Sequence, residues 1–200
     1  ALSSAASDVY KRQVLFASIV FFAFPGKSVG VLGPYNCHTL LIDAGHGGVD
    51  GGAISADGLK ESDVNLAIAL RMSGICDLVG IGHQLTRESD VGCLESESYS
   101  EHDDLVARAQ MANSIPECVL ISVHQNKYPS EIVRGAEIMY AETPGSKELG
   151  VITQSNMVLV LDPENRRVAH SAPSQLLLTS SVNCPVSYTH LRAHETGRNL

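Results

Sequence analysis

Residues Leu40–Glu61 read LLIDAGHGGVDGGAISADGLKE, and the interpretation of the whole chain starts from them. The apolar run 40–42 stops at Asp43, which is typical of a buried strand that ends at a turn. Glycines then surround His46 and let the backbone pass close to a small ligand. Because ligands of open α/β sheets lie beyond the carboxyl ends of strands, His46 and Glu61 are predicted to face one site there. A histidine and a glutamate that converge in this way suggest a metal.

The bulk composition fits one globular α/β domain. The chain has 200 residues, of which 44% are hydrophobic and 18% are charged. A net charge of −8 argues against a nucleic-acid partner, which requires clustered lysine and arginine. The cysteines show no C-x-x-C spacing and are interpreted as small apolar fillers, with one disulfide left open if the protein is exported. They are Cys37, Cys76, Cys93, Cys118 and Cys184.

The apolar run Val14–Phe24 is the candidate for a targeting segment. It is too short to span a bilayer, which takes about 20 residues, but it suits the apolar part of a secretory signal behind Lys11 and Arg12. The alternative is a buried strand or core helix. We favour export, hence an extracytoplasmic location, and transient membrane association through this signal or anchor segment would be compatible with it.

Apolar periodicity places the remaining elements. Strands are predicted at 39–43, 82–86, 118–124 and 135–140, and helices at 63–75, 103–112 and 146–161. The strand 118–124 is the cleanest buried strand and ends in His124. Asn183–Pro185 should introduce a last strand, but from Ser187 the chain is polar and basic, so that strand is predicted to be missing or replaced.

His46, Glu61 and His124 form a His₂Glu set, one of the usual ligand sets of catalytic zinc, with a fourth position open to water. The chain has no H-E-x-x-H motif, which excludes a zincin helix. Ordinary structural roles stay open for two of the three. His124 could be a hydrogen-bonded core histidine and Glu61 a solvated carboxylate at a helix start.

The chain resembles the zinc-dependent N-acetylmuramoyl-L-alanine amidases, peptidoglycan hydrolases of cell division and spore-cortex maturation, from about Thr39 to Pro185. The motifs that carry the resemblance are IDAGHGG at 42–48, KESDVNLA at 60–67, TR at 86–87, ARAQMAN at 107–113 and ISVHQN at 121–126. The resemblance implies that His46, Glu61 and His124 bind zinc. It also implies cleavage of the amide between the muramic lactyl group and L-alanine.

The family's fold is an α/β sandwich, so the resemblance implies a single domain with a mixed, mostly parallel sheet flanked by helices. Asp43 is expected to stand behind a ligating histidine as its hydrogen-bond partner, with turn formation as the alternative. Within this frame, the predicted amidase domain covers 39–186 and is incomplete at its C-terminal end. The signal-like segment and linker cover 14–38.

The two ends of the chain depart from the family. In the family a strand after the position of Cys184–Pro185 delivers a second glutamate, the expected general base; here Ser187–Leu191 stand in its place. The catalytic residue is therefore unknown, and the cluster His190, His194 and Glu195 is not expected to replace it. Residues 1–13 and 187–200 look foreign, similar to translated sequencing-adaptor read-through.

Three functions follow from this interpretation. The first is a zinc amidase of cell-wall turnover, of which this chain is a truncated form. The second is a zinc-bearing, peptidoglycan-binding fragment that does not turn over substrate because the second glutamate is absent. A third, weaker alternative is a zinc carboxypeptidase or another peptidase that acts on different amides.

Overall fold

The computed structural model describes residues 39–55, 57–94, 99–125, 135–172 and 176, and the backbone of 186–189. Its strands are β1 Thr39–Ala44, β2 His83–Leu85, β3 Cys118–His124, β4 Glu137–Tyr140, β5 His170–Ser171 and β6 Val186–Thr189. Its helices are α1 Glu61–Val79, α2 Glu101–Ser114 and α3 Ser146–Leu161.

The strands form one six-stranded sheet in the order β2-β1-β3-β6-β4-β5. Every neighbouring pair is parallel except β4 and β6, which are antiparallel. The predicted mixed, mostly parallel sheet flanked by helices is thus confirmed. Asp43 lies opposite Ser122 and Ala44 opposite Val123, so the loops after β1 and β3 leave the sheet at the same edge.

Adjacent residues of β1 pack on opposite faces of the sheet, as strand geometry requires. Leu41 contacts the α2 side of the core, where Ala109 and Ala112 are fully buried. Ile42 packs with Ala69 and with other residues of α1. Helix α3 lies on the α1 side, because Leu149 shares a cluster with Val119, Val123 and Ile138 and with partly buried residues of α1. The sheet is therefore covered on both faces.

The first helix is longer than predicted at both ends. It begins at Glu61 rather than 63 and runs to Val79, past the end predicted near Gly74. Gly74 is tolerated inside the helix, at a cost of about 1 kcal/mol relative to alanine. The actual stop is Gly80, which has a left-handed φ of 74° and whose N–H donates to the carbonyls of Cys76 and Asp77. The two-residue strand β5 was not predicted, since it is too short to show a period.

The last strand, predicted to be missing or replaced, is present as four residues directly after Pro185. Val186–Thr189 form β6, parallel to β3 on one side and antiparallel to β4 on the other. An interior position offers backbone hydrogen-bond partners on both sides, so a short segment containing valine, tyrosine and threonine can fill it. Of the two predicted outcomes for the last strand, missing or replaced, the structure has the replacement.

Some predictions lie outside the described residues. These are the signal-like segment Val14–Phe24, Cys37, Cys184, and the cluster His190, His194 and Glu195. Among the described residues, no helix has the length and apolar character needed to cross a membrane. Cys76 and Cys93 are free thiols, and Cys76 and Cys118 are buried among apolar side chains.

Candidate metal centre

The structure brings the three predicted ligands together at one edge of the sheet. His46 lies on the loop after β1, Glu61 is the first residue of α1, and His124 is the last residue of β3. Oε1 of Glu61 is 3.2 Å from Nε2 of His46 and 3.2 Å from Nδ1 of His124. One potential ligand atom from each residue lies within 4.8 Å of the other two, so the three side chains could hold one metal ion.

The Glu61 carboxylate is buried and held by several donors. The backbone N–H of Ala53 donates to its Oε2 at 3.0 Å, and the backbone N–H of Gln125 donates to its Oε1 at 2.8 Å. Burial raises the pKa of Glu61, but hydrogen bonds from His124 and His46 and the charge of His46 hold this pKa well below its usual range. Glu61 is therefore an anionic group at neutral pH.

Asn65 connects Glu61 to the glycine loop. It lies one helical turn after Glu61, on the same side of α1. Its amide donates to the Gly45 carbonyl at 3.1 Å and to Glu61 Oε1 at 3.4 Å, and its own oxygen accepts from the Gln125 side chain at 3.2 Å. These bonds fix the start of the helix against both histidine-bearing segments.

His46 stands between two carboxylates. Its Nε2 faces Glu61, and its Nδ1 lies 2.8 Å from Oδ2 of Asp50. Burial lowers the pKa of His46, but the hydrogen bond and charge of Glu61, followed by those of Asp50, raise it to about 9. A divalent cation at this site must displace the proton that His46 would otherwise hold, since only the unprotonated nitrogen is a ligand.

Two glycines leave room for the ligands. A Cβ on Gly45 would lie 2.3 Å from Cε1 of His124 and 2.4 Å from its Nε2, so the imidazole ring rests directly on this glycine. Gly52 has a φ of 63°, and a Cβ there would lie 2.8 Å from His46 and 2.9 Å from Oε2 of Glu61. Close approach therefore requires a glycine at both positions, and the positive φ of Gly52 favours glycine there as well.

Two buried arginines hold the loop that carries His46 by its carbonyl groups. Arg108 of α2 donates to the carbonyls of Ala44 and His46, each at 2.9 Å. Arg87, which follows β2, donates to the carbonyls of Ala44 at 2.8 Å and Gly45 at 3.2 Å. His46 itself has a positive φ of 63°, and these bonds stabilise that uncommon conformation.

Asp43 does not have the hydrogen bond to a ligating histidine that we expected. Its buried carboxylate accepts from Ser122 at 2.5 Å and from Thr86 at 2.7 Å and forms an ion pair with Arg108. Arg108 links Asp43 to the backbone of His46, because it also donates to the His46 carbonyl. Its side chain shares the α2 face with Leu41, because alternate residues of a strand share a face, while the glycine loop turns His46 elsewhere.

The sequence interpretation missed Asp50, Asn65, Gln125 and the two arginines. Asp50 is the carboxylate bonded to His46, and its position four residues later in the same glycine loop could have indicated it. Asn65, at i+4 from Glu61, could have been found from the helical period. Arg108 lies on a predicted helix next to the inward-facing Ala109, which is a signal for a buried charge.

Comparison with known proteins identifies a protein family that matches this chain. A family model described as N-acetylmuramoyl-L-alanine amidase matches residues 40–191. The germination-specific N-acetylmuramoyl-L-alanine amidase of Bacillus subtilis is 34% identical over 111 residues, 54% of this chain and 46% of that protein. The amidase LytC of the same organism is 33% identical over 137 residues, 67% of this chain and 25% of that protein. The chain thus spans about half the length of the first of these relatives and less of the second.

Solved structures of similar proteins support the fold. The CwlD amidase from Clostridioides difficile, solved in complex with the GerS lipoprotein, is similar with a TM-score of 0.73 and 27% identity; the match covers 80% of this chain and 85% of that one. An N-acetylmuramoyl-L-alanine amidase from Clostridium difficile 630 has a TM-score of 0.64 and 28% identity, over 76% of this chain and 78% of that one.

Proposed function

This chain belongs to the N-acetylmuramoyl-L-alanine amidase family, and on that premise we propose that it hydrolyses, with zinc, the amide between N-acetylmuramic acid and L-alanine in peptidoglycan. The observation that carries the proposal is the convergence of His46, Glu61 and His124 at one sheet edge. The substrate is cell-wall material, so the proposed site of action is outside the cytoplasmic membrane. Relatives named as N-acetylmuramoyl-L-alanine amidases support this.

The donor set suits zinc. In a tetrahedral site with bonds of about 2.0–2.2 Å, neighbouring ligand atoms lie about 3.3–3.6 Å apart. The two separations of 3.2 Å between Glu61 Oε1 and the histidine nitrogens are close to that spacing. Two imidazoles and one carboxylate are also the ligand number of a catalytic site that keeps one position open. The chemistry that bound zinc supplies is a water of near-neutral pKa and a polarised substrate carbonyl.

Neighbouring residues of the protein hold the proposed ligands in position. Glu61 remains ionised and contributes the negative charge of the ligand set. The backbone N–H groups of Ala53 and Gln125 hold its two oxygens in place. Arg108 and Arg87 fix the carbonyls of the histidine loop, so the ligands are arranged before any metal arrives.

One observation favours the alternative of binding without turnover. The strand β6, between β3 and β4, reads Val-Ser-Tyr-Thr and contains no carboxylate. Its last residue, Thr189, is in register with His124, so the strand ends at the edge where the ligands lie. Loss of a general acid or base costs about 10²–10⁴-fold in rate. A chain without that glutamate would bind peptidoglycan and cleave it slowly.

Product analysis on purified peptidoglycan tests the proposal. The zinc-loaded chain should release intact stem peptides with a free L-alanine amine, detected by amine labelling and mass spectrometry. His124→Ala, which removes one ligand, should release none. Release of shortened peptides would instead indicate a carboxypeptidase. Co-sedimentation with peptidoglycan and no released amine would favour the binding alternative.

A further inference from the structure

Asp50 connects His46 to a residue at the mouth of the site. Its Oδ2 lies 2.8 Å from His46 Nδ1 and accepts the Tyr99 hydroxyl at 2.6 Å. Its Oδ1 accepts the backbone N–H of Gly52 at 3.0 Å. Asp50 therefore has three partners, and together they fix the rotation of its carboxylate. Tyr99 is 39% exposed, so the outer end of this hydrogen-bond chain faces solvent.

The chain of contacts decides which nitrogen of His46 can bind a metal. A carboxylate only accepts hydrogen bonds, so Nδ1 of His46 carries the proton that Asp50 receives. The other ring nitrogen, Nε2, faces Glu61 at 3.2 Å and would be the ligand atom once a metal displaces its proton. A ligating histidine whose second N–H is held by a carboxylate is fixed in ring orientation and tautomer.

His124 is oriented in a different way. Its Nδ1 faces Glu61 at 3.2 Å, and its ring rests on the Cα of Gly45, where even a methyl group would not fit. No hydrogen bond from its other nitrogen is found among the described residues. Apart from its contact with Glu61, His124 is thus oriented by packing on Gly45, whereas His46 is also hydrogen-bonded to Asp50, a residue outside the proposed ligand set.

We propose that Asp50 is a positioning residue that fixes His46 with Nε2 toward the metal, and that the Tyr99 hydroxyl holds Asp50 in the rotamer that does so. The proposal rests on the proposed zinc site. It assigns Asp50 the role that Asp43 was expected to have. It also makes Tyr99, which contacts none of the three ligands directly, a determinant of metal affinity.

Zinc affinity of the full chain, measured by competition with a chromogenic chelator, tests this. Asp50→Asn should weaken zinc binding by about 10–100-fold, the usual effect of losing such a partner. Tyr99→Phe keeps the ring and removes only the hydroxyl, and should weaken binding by a smaller factor, about two- to tenfold, the usual net effect of losing one hydrogen bond. Asp57→Asn is the matched control, because Asp57 is an exposed acid in the same loop; its affinity should equal that of the wild type.

Nitrogen NMR of the histidine side chains separates positioning from general loss of structure. In the zinc-bound wild type, His46 should show a protonated Nδ1 and a metal-bound Nε2. Asp50→Asn should lose that single pattern, because the asparagine amide can also donate to Nδ1 and favour the wrong tautomer.

The results distinguish a failure of this proposal from a failure of the proposed zinc site on which it rests. A wild-type chain that binds no zinc would overturn the proposed function. Zinc binding by the wild type that is equally tight in Asp50→Asn, or a His46 that coordinates through Nδ1, would overturn the role of Asp50 alone. If Asp50→Asn does not fold, two other measurements test the proposal. Unchanged zinc affinity in Tyr99→Phe, together with a mixture of His46 tautomers in the zinc-bound wild type, would refute it.

Discussion

Gly45→Ala should damage the metal centre while leaving the backbone unstrained. Gly45 does not have a positive φ, so alanine is sterically acceptable to the main chain. The added Cβ, however, would lie 2.3 Å from Cε1 of His124, where ordinary contact begins at 3.4 Å. The ring must therefore retreat by the difference, about 1.1 Å. Metal–ligand distances tolerate only about ±0.2 Å, so we expect zinc affinity to fall by about 100-fold or more.

The assay is chelator competition for zinc, together with thermal unfolding of the metal-free chain. Gly74→Ala is the matched control, since a Cβ there meets nothing within 4 Å and the position lies inside helix α1. It should leave zinc affinity unchanged and raise stability by about 1 kcal/mol. Wild-type zinc affinity in Gly45→Ala would refute the claim that His124 is positioned by its packing on this glycine.

Three further predictions concern stability. Arg108→Ala should lower the free energy of unfolding in urea by about 3–5 kcal/mol, because it leaves the buried Asp43 carboxylate without its ion-pair partner. Arg71→Ala, at an exposed position, is the control, and an equally small loss in both variants would contradict this prediction. Burial raises the pKa of Asp43, but the charge of Arg108 and the hydrogen bond from Ser122 hold this pKa below its usual range. The stability that Asp43 contributes is thus present above the unfolded-state pKa of about 3.9 and is lost as the pH falls through the lower folded-state pKa. The free energy of unfolding, measured from pH 5 to 2, should therefore decrease, and the decrease should be smaller in Asp43→Asn. Zinc at 100 times its Kd should stabilise the chain by about 2.7 kcal/mol, and a thermal midpoint that does not respond to zinc or to its removal by chelator would argue against a site in the folded state.

The convergence of His46, Glu61 and His124 could be predicted from the sequence because each of these residues is marked locally. His46 is enclosed by glycines directly after an apolar run, and His124 ends the most apolar run of the chain. The parallel arrangement of β1 and β3 then places both at one edge, as their carboxyl ends predict. Glu61 precedes a helical pattern that the structure confirms as α1. Local patterning and strand-end geometry were sufficient for this part of the site.

The partners of the ligands depend on contacts that no local pattern encodes. Asp43 and Asp50 both flank His46 in sequence, and only the path of the glycine loop decides which carboxylate reaches its Nδ1. Arg108 reaches the carbonyl of His46 across 62 positions of sequence. The strand β6 has little apolar pattern of its own, and two neighbouring strands determine its conformation. These features are tertiary in origin.

X-ray absorption at the zinc edge of the purified, metal-loaded chain tests the central claim most directly. We predict one zinc per chain, with two imidazole nitrogens and carboxylate or water oxygens at about 2.0–2.2 Å. His46→Ala and His124→Ala should each remove one imidazole and reduce the bound metal. Full zinc occupancy in both variants, or a shell of cysteine sulfur at about 2.3 Å, would contradict the account.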